Sequence, residues 1–132
     1  MTKASIIIAE DEDGIRLSLE HGLIRRGYDV HAFPDGRKAL DYLLTPKTPP
    51  QFLITDVEMP LLNGYGLLNG IASLYSFPAI IRSADDVDHA RITYTGKIFI
   101  CSKNDDWDSD KIEDIICAEL GTRKFVFPKK FS

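Results

Sequence analysis

Two short apolar runs that end in carboxylates constrain this chain more than any other feature. Ile6-Ile7-Ile8-Ala9 runs directly into Glu10-Asp11-Glu12-Asp13, and Phe52-Leu53-Ile54 leads into Asp56-Val57-Glu58-Met59-Pro60, with Gly64 four residues past the proline. Runs this short, without polar alternation, read as strands buried on both faces, which requires a parallel sheet covered by helices on each side. Both would deliver acidic side chains to the point where a buried strand opens into a loop.

The remaining sequence alternates short apolar runs with longer stretches at helical spacing, as strand-helix repetition demands. Residues 15–26 carry Ile15, Leu19 and Leu23 at helical intervals and close on Arg25-Arg26-Gly27, basic residues followed by a glycine stop. Residues 28–33 alternate as a half-exposed strand, and Asp35 is placed to cap a helix over 37–44 with Ala39, Leu40, Leu43 and Leu44 on its inner face. Pro46, Pro49 and Pro50 prevent that helix from continuing. Five strands result, at 5–9, 28–33, 52–55, 79–82 and 98–101, with a last helix over 109–120 stopped by Gly121.

The two middle helices have weak sequences. Residues 65–75 include Gly66 and Gly70, each costing about 1 kcal/mol against alanine in a helix interior. Residues 86–95 end in Ile92-Thr93-Tyr94-Thr95, followed by Gly96, which is poor helix material. Both are expected to be short or irregular.

At 132 residues the chain has the length of one domain, and with 44% hydrophobic residues it can bury an ordinary core. The net charge of −4 argues against nucleic acid as a partner, since phosphate binding relies on clustered Lys and Arg. A cation suits the acidic strand ends better. Cys101 and Cys117 lie among apolar neighbours and are expected to be free core thiols. The N-terminus lacks the apolar stretch and cleavage site of a signal peptide, and no run is long enough to span a bilayer, so a cytoplasmic location is expected. His21, His31 and His89 have no metal-ligand spacing, and Trp107 reads as a packing residue at the start of the last helix.

In open parallel sheets, ligands bind outside the carboxyl ends of the strands, at the point where the winding reverses. In a flavodoxin-like order, 2-1-3-4-5, strands one and three are neighbours, so Glu10, Asp11 and Asp56 would share one crevice. Carboxylates that close raise one another's pKa unless a counter-charge intervenes. Mg2+ is the usual solution for a few carboxylates plus waters and a phosphate. A carboxylate beside Mg2+ can attack phosphorus and form an acyl phosphate, a transfer that needs alignment and neutralisation of the equatorial oxygens. A hydroxyl and a lysine to assist stand at the ends of strands four and five, Ser83 and Lys103. Singly, each residue has a structural reading, such as a solvated turn, a helix cap or a surface charge. Their joint placement at four strand ends points to one site.

These pieces resemble the receiver domain of two-component response regulators over nearly the whole chain. The matching segments are Ile7-Ile8-Ala9-Glu10-Asp11-Glu12, Asp56-Val57-Glu58-Met59-Pro60 with Gly64, Pro78 through Ser83-Ala84, and Lys103. The resemblance implies an α/β fold with a doubly wound five-stranded parallel sheet and a receiver unit over residues 1–121. It also implies phosphorelay signalling rather than ordinary enzyme turnover. In that reading Asp56 is the phosphoacceptor, Glu10, Asp11, Asp56 and the Glu58 backbone carbonyl hold Mg2+, and Ser83 and Lys103 contact the phosphoryl group. The donor would be a histidine kinase or histidine phosphotransfer protein. With no DNA-binding or catalytic domain after residue 121, output is expected through a separate, unidentified protein, or through a homodimer.

Several positions depart from the family pattern. Glu10-Asp11 replaces an aspartate pair, Asn104 stands where a proline usually follows the lysine, and Ile100 replaces the usual aromatic switch residue, with Phe99 beside it. The spacings from Asp56 to Ser83 and from Ser83 to Lys103 are short for the family, in keeping with the weak middle helices. Glu58 and Asp85 would flank the phosphoryl group and influence an attacking water. The basic and aromatic tail 122–132 is either a terminus packed on the sheet edge or a docking segment. Two rival readings remain. One is a degenerate receiver that binds partners without phosphorylation. The other is a phosphatase resembling the haloacid-dehalogenase type, in which Asp11 is the nucleophile, Asp13 the general acid, and Ser83, Lys103 and Asp105-Asp106 follow.

Overall fold

In the computed structural model, which describes residues 4–105 and 107–128, the five apolar runs form one parallel sheet. Its strands are β1 (Ser5–Ala9), β2 (Asp29–Phe33), β3 (Phe52–Asp56), β4 (Ala79–Ser83) and β5 (Ile98–Ser102), in the order β2-β1-β3-β4-β5. The helices are α1 (Asp13–Ile24), α2 (Gly36–Leu44), α3 (Gly64–Ile71) and α4 (Ser109–Leu120). All residues of β1, β3 and β4 are buried, whereas β2 and the edge strand β5 are mostly half-buried. The unalternated runs are thus the inner strands, as a sheet covered on both faces requires.

Strand parity divides the core into two layers. Ile7, Leu53, Ala79 and Ile81 face α2 and α3, packing with Ala39, Leu43, Leu67, Leu68 and Ile71. Ile6, Ile8, Phe52, Ile54 and Ile80 face α1 and α4, packing with Leu19, Leu23, Ile112 and Ile116. Because side chains alternate along a strand, the same parity carries Glu10, Asp56 and Arg82 onto the α1/α4 side at the carboxyl end of the sheet.

Helix ends follow from local chemistry. Asp35 accepts from the Lys38 N–H at 2.8 Å, capping α2. Asp108 caps α4 in the same way, and Gly121 ends it in the left-handed region at φ 69°. The first helix stops at Ile24, two residues short of the expectation, and Gly27 turns the chain at φ 90° into β2.

The middle of the chain departs furthest from regular helix. Instead of reaching residue 75, α3 ends at Ile71, and the Tyr75 hydroxyl swings across to donate to the Leu43 carbonyl at 2.7 Å. Residues 86–95 form no α-helix, only the single 3-10 turn His89–Arg91. Side chains satisfy this segment's backbone instead. Asn69 accepts from the Thr93 N–H at 2.8 Å and donates to the Arg91 carbonyl at 2.7 Å, while the Tyr65 hydroxyl accepts from the Asp88 N–H at 2.8 Å. The run Ile92-Thr93-Tyr94-Thr95 is held as an extended strap fastened to α3.

The tail lies elsewhere than the sheet edge. Over residues 122–128 it folds back along α4 towards the end of α1: Lys124 bridges Asp110 and Asp114 at 2.9 Å each, and Phe127 sits beneath Arg25 and Arg26. Its anchor is the buried Glu113, which accepts from the Phe125 N–H at 3.1 Å, pairs with Arg26 Nε at 3.1 Å and accepts from the Tyr28 hydroxyl at 3.2 Å. Residues 129–132 of the expected tail lie outside the described residues. Both cysteines are free, Cys101 in the core and Cys117 half-buried.

The loop after β3 returns tightly on itself, with the Gly64 N–H donating to the Val57 carbonyl at 2.8 Å. A Cβ at Gly64 would collide with the Asp56 carbonyl oxygen and lie 3.1 Å from Val57 Cα, both backbone atoms that cannot swing aside. Gly64→Ala is therefore expected to cost on the order of 2 kcal/mol, the usual range for overpacking, measured by urea unfolding.

Candidate functional site

Four strand ends converge at the carboxyl edge of the sheet. Asp56, the last residue of β3, is fully buried, and Glu10, one residue past β1, is 2% exposed, while Asp11 faces solvent. Carboxylate oxygens of these three lie within 4.8 Å of one another, and among the described residues no other cluster of His, Cys, Asp or Glu gathers so closely. The backbone fixes these positions: Val57 N–H donates to the Arg82 carbonyl at 3.0 Å, and Lys103 N–H to the Ser83 carbonyl at 2.9 Å.

Neither oxygen of the Asp56 carboxylate accepts a close hydrogen bond within the described residues, although the Lys103 ammonium and the Asp11 backbone N–H lie near enough to favour its charged form. Lys103 Nζ stands 3.6 Å from Oδ2, and Arg82 Nη1 stands 3.9 Å from Oδ1. Burial pushes the Asp56 carboxyl above its ordinary value, with the Lys103 and Arg82 charges pulling in the opposite direction. Buried oxygens without close donors, aimed into an acidic crevice, are where a cation or an electrophile would be accommodated. Three hard oxygen donors at this spacing fit Mg2+.

The other expected residues are placed as follows. Ser83 ends β4, one residue beyond the register partner of Asp56, and its hydroxyl accepts from the Asp85 N–H at 3.2 Å. Glu58 and Asp85 are exposed at the rim. Asn104 uses the N–H that a proline would lack, donating to Ser102 Oγ at 3.2 Å, so the loop after Lys103 closes as a turn on the end of β5. Ile100 is 43% exposed, beside Ser83, Val87 and His89, in the area left uncovered where residues 86–95 form no helix. Phe99 cannot substitute for an aromatic there, because strand parity puts it on the opposite face, near Lys97 and α4. Asp13 pairs with Arg16 at 2.6 Å and is largely solvent-exposed. Asp106 lies outside the described residues. Trp107 packs against the α1/α4 core layer, as expected.

Sequence reasoning missed Arg82. Its side chain is about 10% exposed, and Nη1 donates to Glu10 Oε1 at 2.9 Å. The signal was available: an arginine inside a fully buried strand needs a partner, and the neighbouring buried strands both end in carboxylates.

The family described as "Response regulator receiver domain" matches residues 6–115. The chain is 42% identical over 82 residues to a probable transcriptional regulator, ycf27, of Galdieria sulphuraria, covering 62% of this chain and 31% of that protein. It is 34% identical over 92 residues to the response regulator GtcR of Aneurinibacillus migulanus, covering 70% and 37%. It thus spans about a third of the length of these relatives. Among solved structures, the chemotaxis protein CheY4 of Vibrio cholerae shares the fold at a TM-score of 0.75 and 22% identity, covering 90% of this chain and all of that one.

A pKa raised by burial means the folded state holds the Asp56 proton more tightly than the unfolded chain does. Ionised Asp56 therefore costs stability once pH rises past its folded value, and this cost is absent below the unfolded value. Asp56→Asn removes that cost. Its thermal midpoint is expected to exceed the wild type's at pH 7, with the gain fading as pH falls towards 4, as followed by differential scanning calorimetry.

Proposed function

Because the chain belongs to the response regulator receiver domain family, whose members serve two-component signalling, we propose that Asp56 accepts a phosphoryl group from a phosphohistidine donor. The donor would be a histidine kinase or a histidine phosphotransfer protein. The observation that carries this reading is Asp56 itself: a buried carboxylate whose oxygens accept no close hydrogen bond among the described residues and face the Lys103 ammonium. An oxygen so loosely engaged keeps lone pairs available for nucleophilic attack.

In the proposed step an Asp56 oxygen attacks phosphorus in line with the P–N bond of the donor. The P–O bond forms as the P–N bond breaks, and the donor ring, already protonated on its other nitrogen, takes the bonding electrons and leaves as neutral imidazole. Lys103 then has a phosphoryl oxygen within reach in place of the carboxylate, and Ser83 offers a hydroxyl to another. Mg2+ held by Glu10, Asp11, Asp56 and the Glu58 carbonyl would supply positive charge for the equatorial phosphoryl oxygens. The rim carboxylates Glu58 and Asp85 would govern how readily water reaches the acyl phosphate.

The receiver unit is taken as residues 1–121 in the cytoplasm, with 122–132 as an appended tail. No helix among the described residues is long and apolar enough to cross a membrane. The added charge would be read out by a protein partner at the surface around Ser83 and Ile100, since phosphate introduces strong acceptors that reposition nearby hydroxyls and loops. A second reading has its own support. The Arg82–Glu10 ion pair and the exposed Ile100 favour a receiver that binds partners without being phosphorylated.

Incubation with Mg2+ and a small phosphodonor, followed by intact mass and free phosphate, separates these. Wild type is expected to gain one phosphoryl mass, Asp56→Asn none, and Asp11→Asn to react at least roughly tenfold more slowly, the loss of one charged ligand. Sustained phosphate release that needs Asp11 but not Asp56 would overturn the proposal. Absence of any adduct would leave the binding module.

A further inference from the structure

Arg82 stands where three buried strands present charge side by side. Its register partner on β3 is Asp56, its partner on β5 is Cys101, and parity sets Glu10 of the β1 end on the same face. The guanidinium donates to Glu10 at 2.9 Å and comes within 3.9 Å of Asp56, while its Nε has no hydrogen-bond partner among the described residues. Its ion-pair partners among the described residues are thus the crevice carboxylates, with the Cys101 thiol as a further neighbour.

The charges make the consequence plain. Glu10, Asp11 and Asp56 bring three negative charges, and Arg82 and Lys103 return two positive ones. A divalent cation gains most where the surrounding charge is strongly negative and its oxygens are unengaged, and here a permanently charged guanidinium already holds one oxygen of Glu10. From this we infer that Arg82 is a resident counter-ion, occupying the Glu10 side of the cluster and competing there with a divalent cation.

The guanidinium has somewhere to go when displaced. Arg82 also lines an open groove of about 660 Å3 between α1 and α4, which Glu12 and Asp108 line with carboxylates and Trp107 with an aromatic wall. Exchange of Arg82 between Glu10 and this groove would set the cation concentration at which the crevice loads. It would also keep the buried carboxylates compensated when no cation is bound.

The inference rests on reading Glu10, Asp11 and Asp56 as a cation site, and its test is a binding measurement that does not depend on phosphorylation. Mg2+ is titrated calorimetrically into wild type, Arg82→Gln and Arg82→Lys. Arg82→Gln is expected to bind at least about tenfold more tightly, since one adjacent positive charge is removed at a poorly screened site. Arg82→Lys, which keeps the charge, is expected to stay within about threefold of wild type. Equal or weaker affinity in Arg82→Gln overturns the inference. Should that variant fail to fold, the wild-type Arg82 Nε–Hε resonance decides: a shift on saturation with Mg2+ supports displacement, and an unmoved resonance in protein that binds Mg2+ refutes it. An Asp56 adduct alongside unchanged affinity would sink this inference alone, whereas tighter binding without any adduct would sink the phosphoacceptor reading alone.

Discussion

A carboxylate buried at the end of a central strand, with no close hydrogen bond among the described residues, is costly, and the architecture around Asp56 is arranged to bear that cost. Desolvation raises its proton affinity, and Arg82 on β4 and Lys103 just past β5 partly offset this. The offset works only because β1, β3, β4 and β5 are parallel and aligned, bringing their carboxyl ends to one edge. A one-residue slip of β4 would turn Arg82 to the opposite face and leave Glu10 and Asp56 facing each other without it. Register, charge balance and reactivity at this edge are one problem with one solution.

The sheet was legible in the sequence because its strands are short apolar runs with sharp polar ends, and a fully buried strand has few other ways to read. The caps at Asp35 and Gly121 were legible for the same local reason. What could not be read was how residues 86–95 would satisfy their backbone. Weak helix propensity was visible, but the alternative depends on Asn69 and Tyr65, residues that meet the segment only in three dimensions. Arg82 belongs to a third category. Its position within a buried run was visible, but its role followed only once the parity of three strands was considered together.

That extended strap also shapes how a signal could leave the site. In place of a helix covering β5, the surface beside Ser83 offers Ile100, Val87 and His89 next to the rim carboxylates Asp85 and Asp86. On the other side, Glu113 and Arg26 tie residues 122–128 across α4 to the end of α1. The molecule thus has an open face beside Ser83 and a strapped face over the helices that flank Arg82, and charge added at Asp56 lies between them.

The central claim is that Asp56 is the reacting nucleophile within a shared acidic crevice, and locating the covalent bond tests it most directly. Borohydride reduces an aspartyl phosphate to homoserine, so protein treated with phosphodonor and Mg2+, reduced, and then sequenced by tandem mass spectrometry records which carboxylate reacted. Homoserine at position 56, with Asp11 and Glu10 unmodified, is the expected result. Homoserine at position 11, or none at position 56 in protein that carries a phosphoryl adduct, would contradict it.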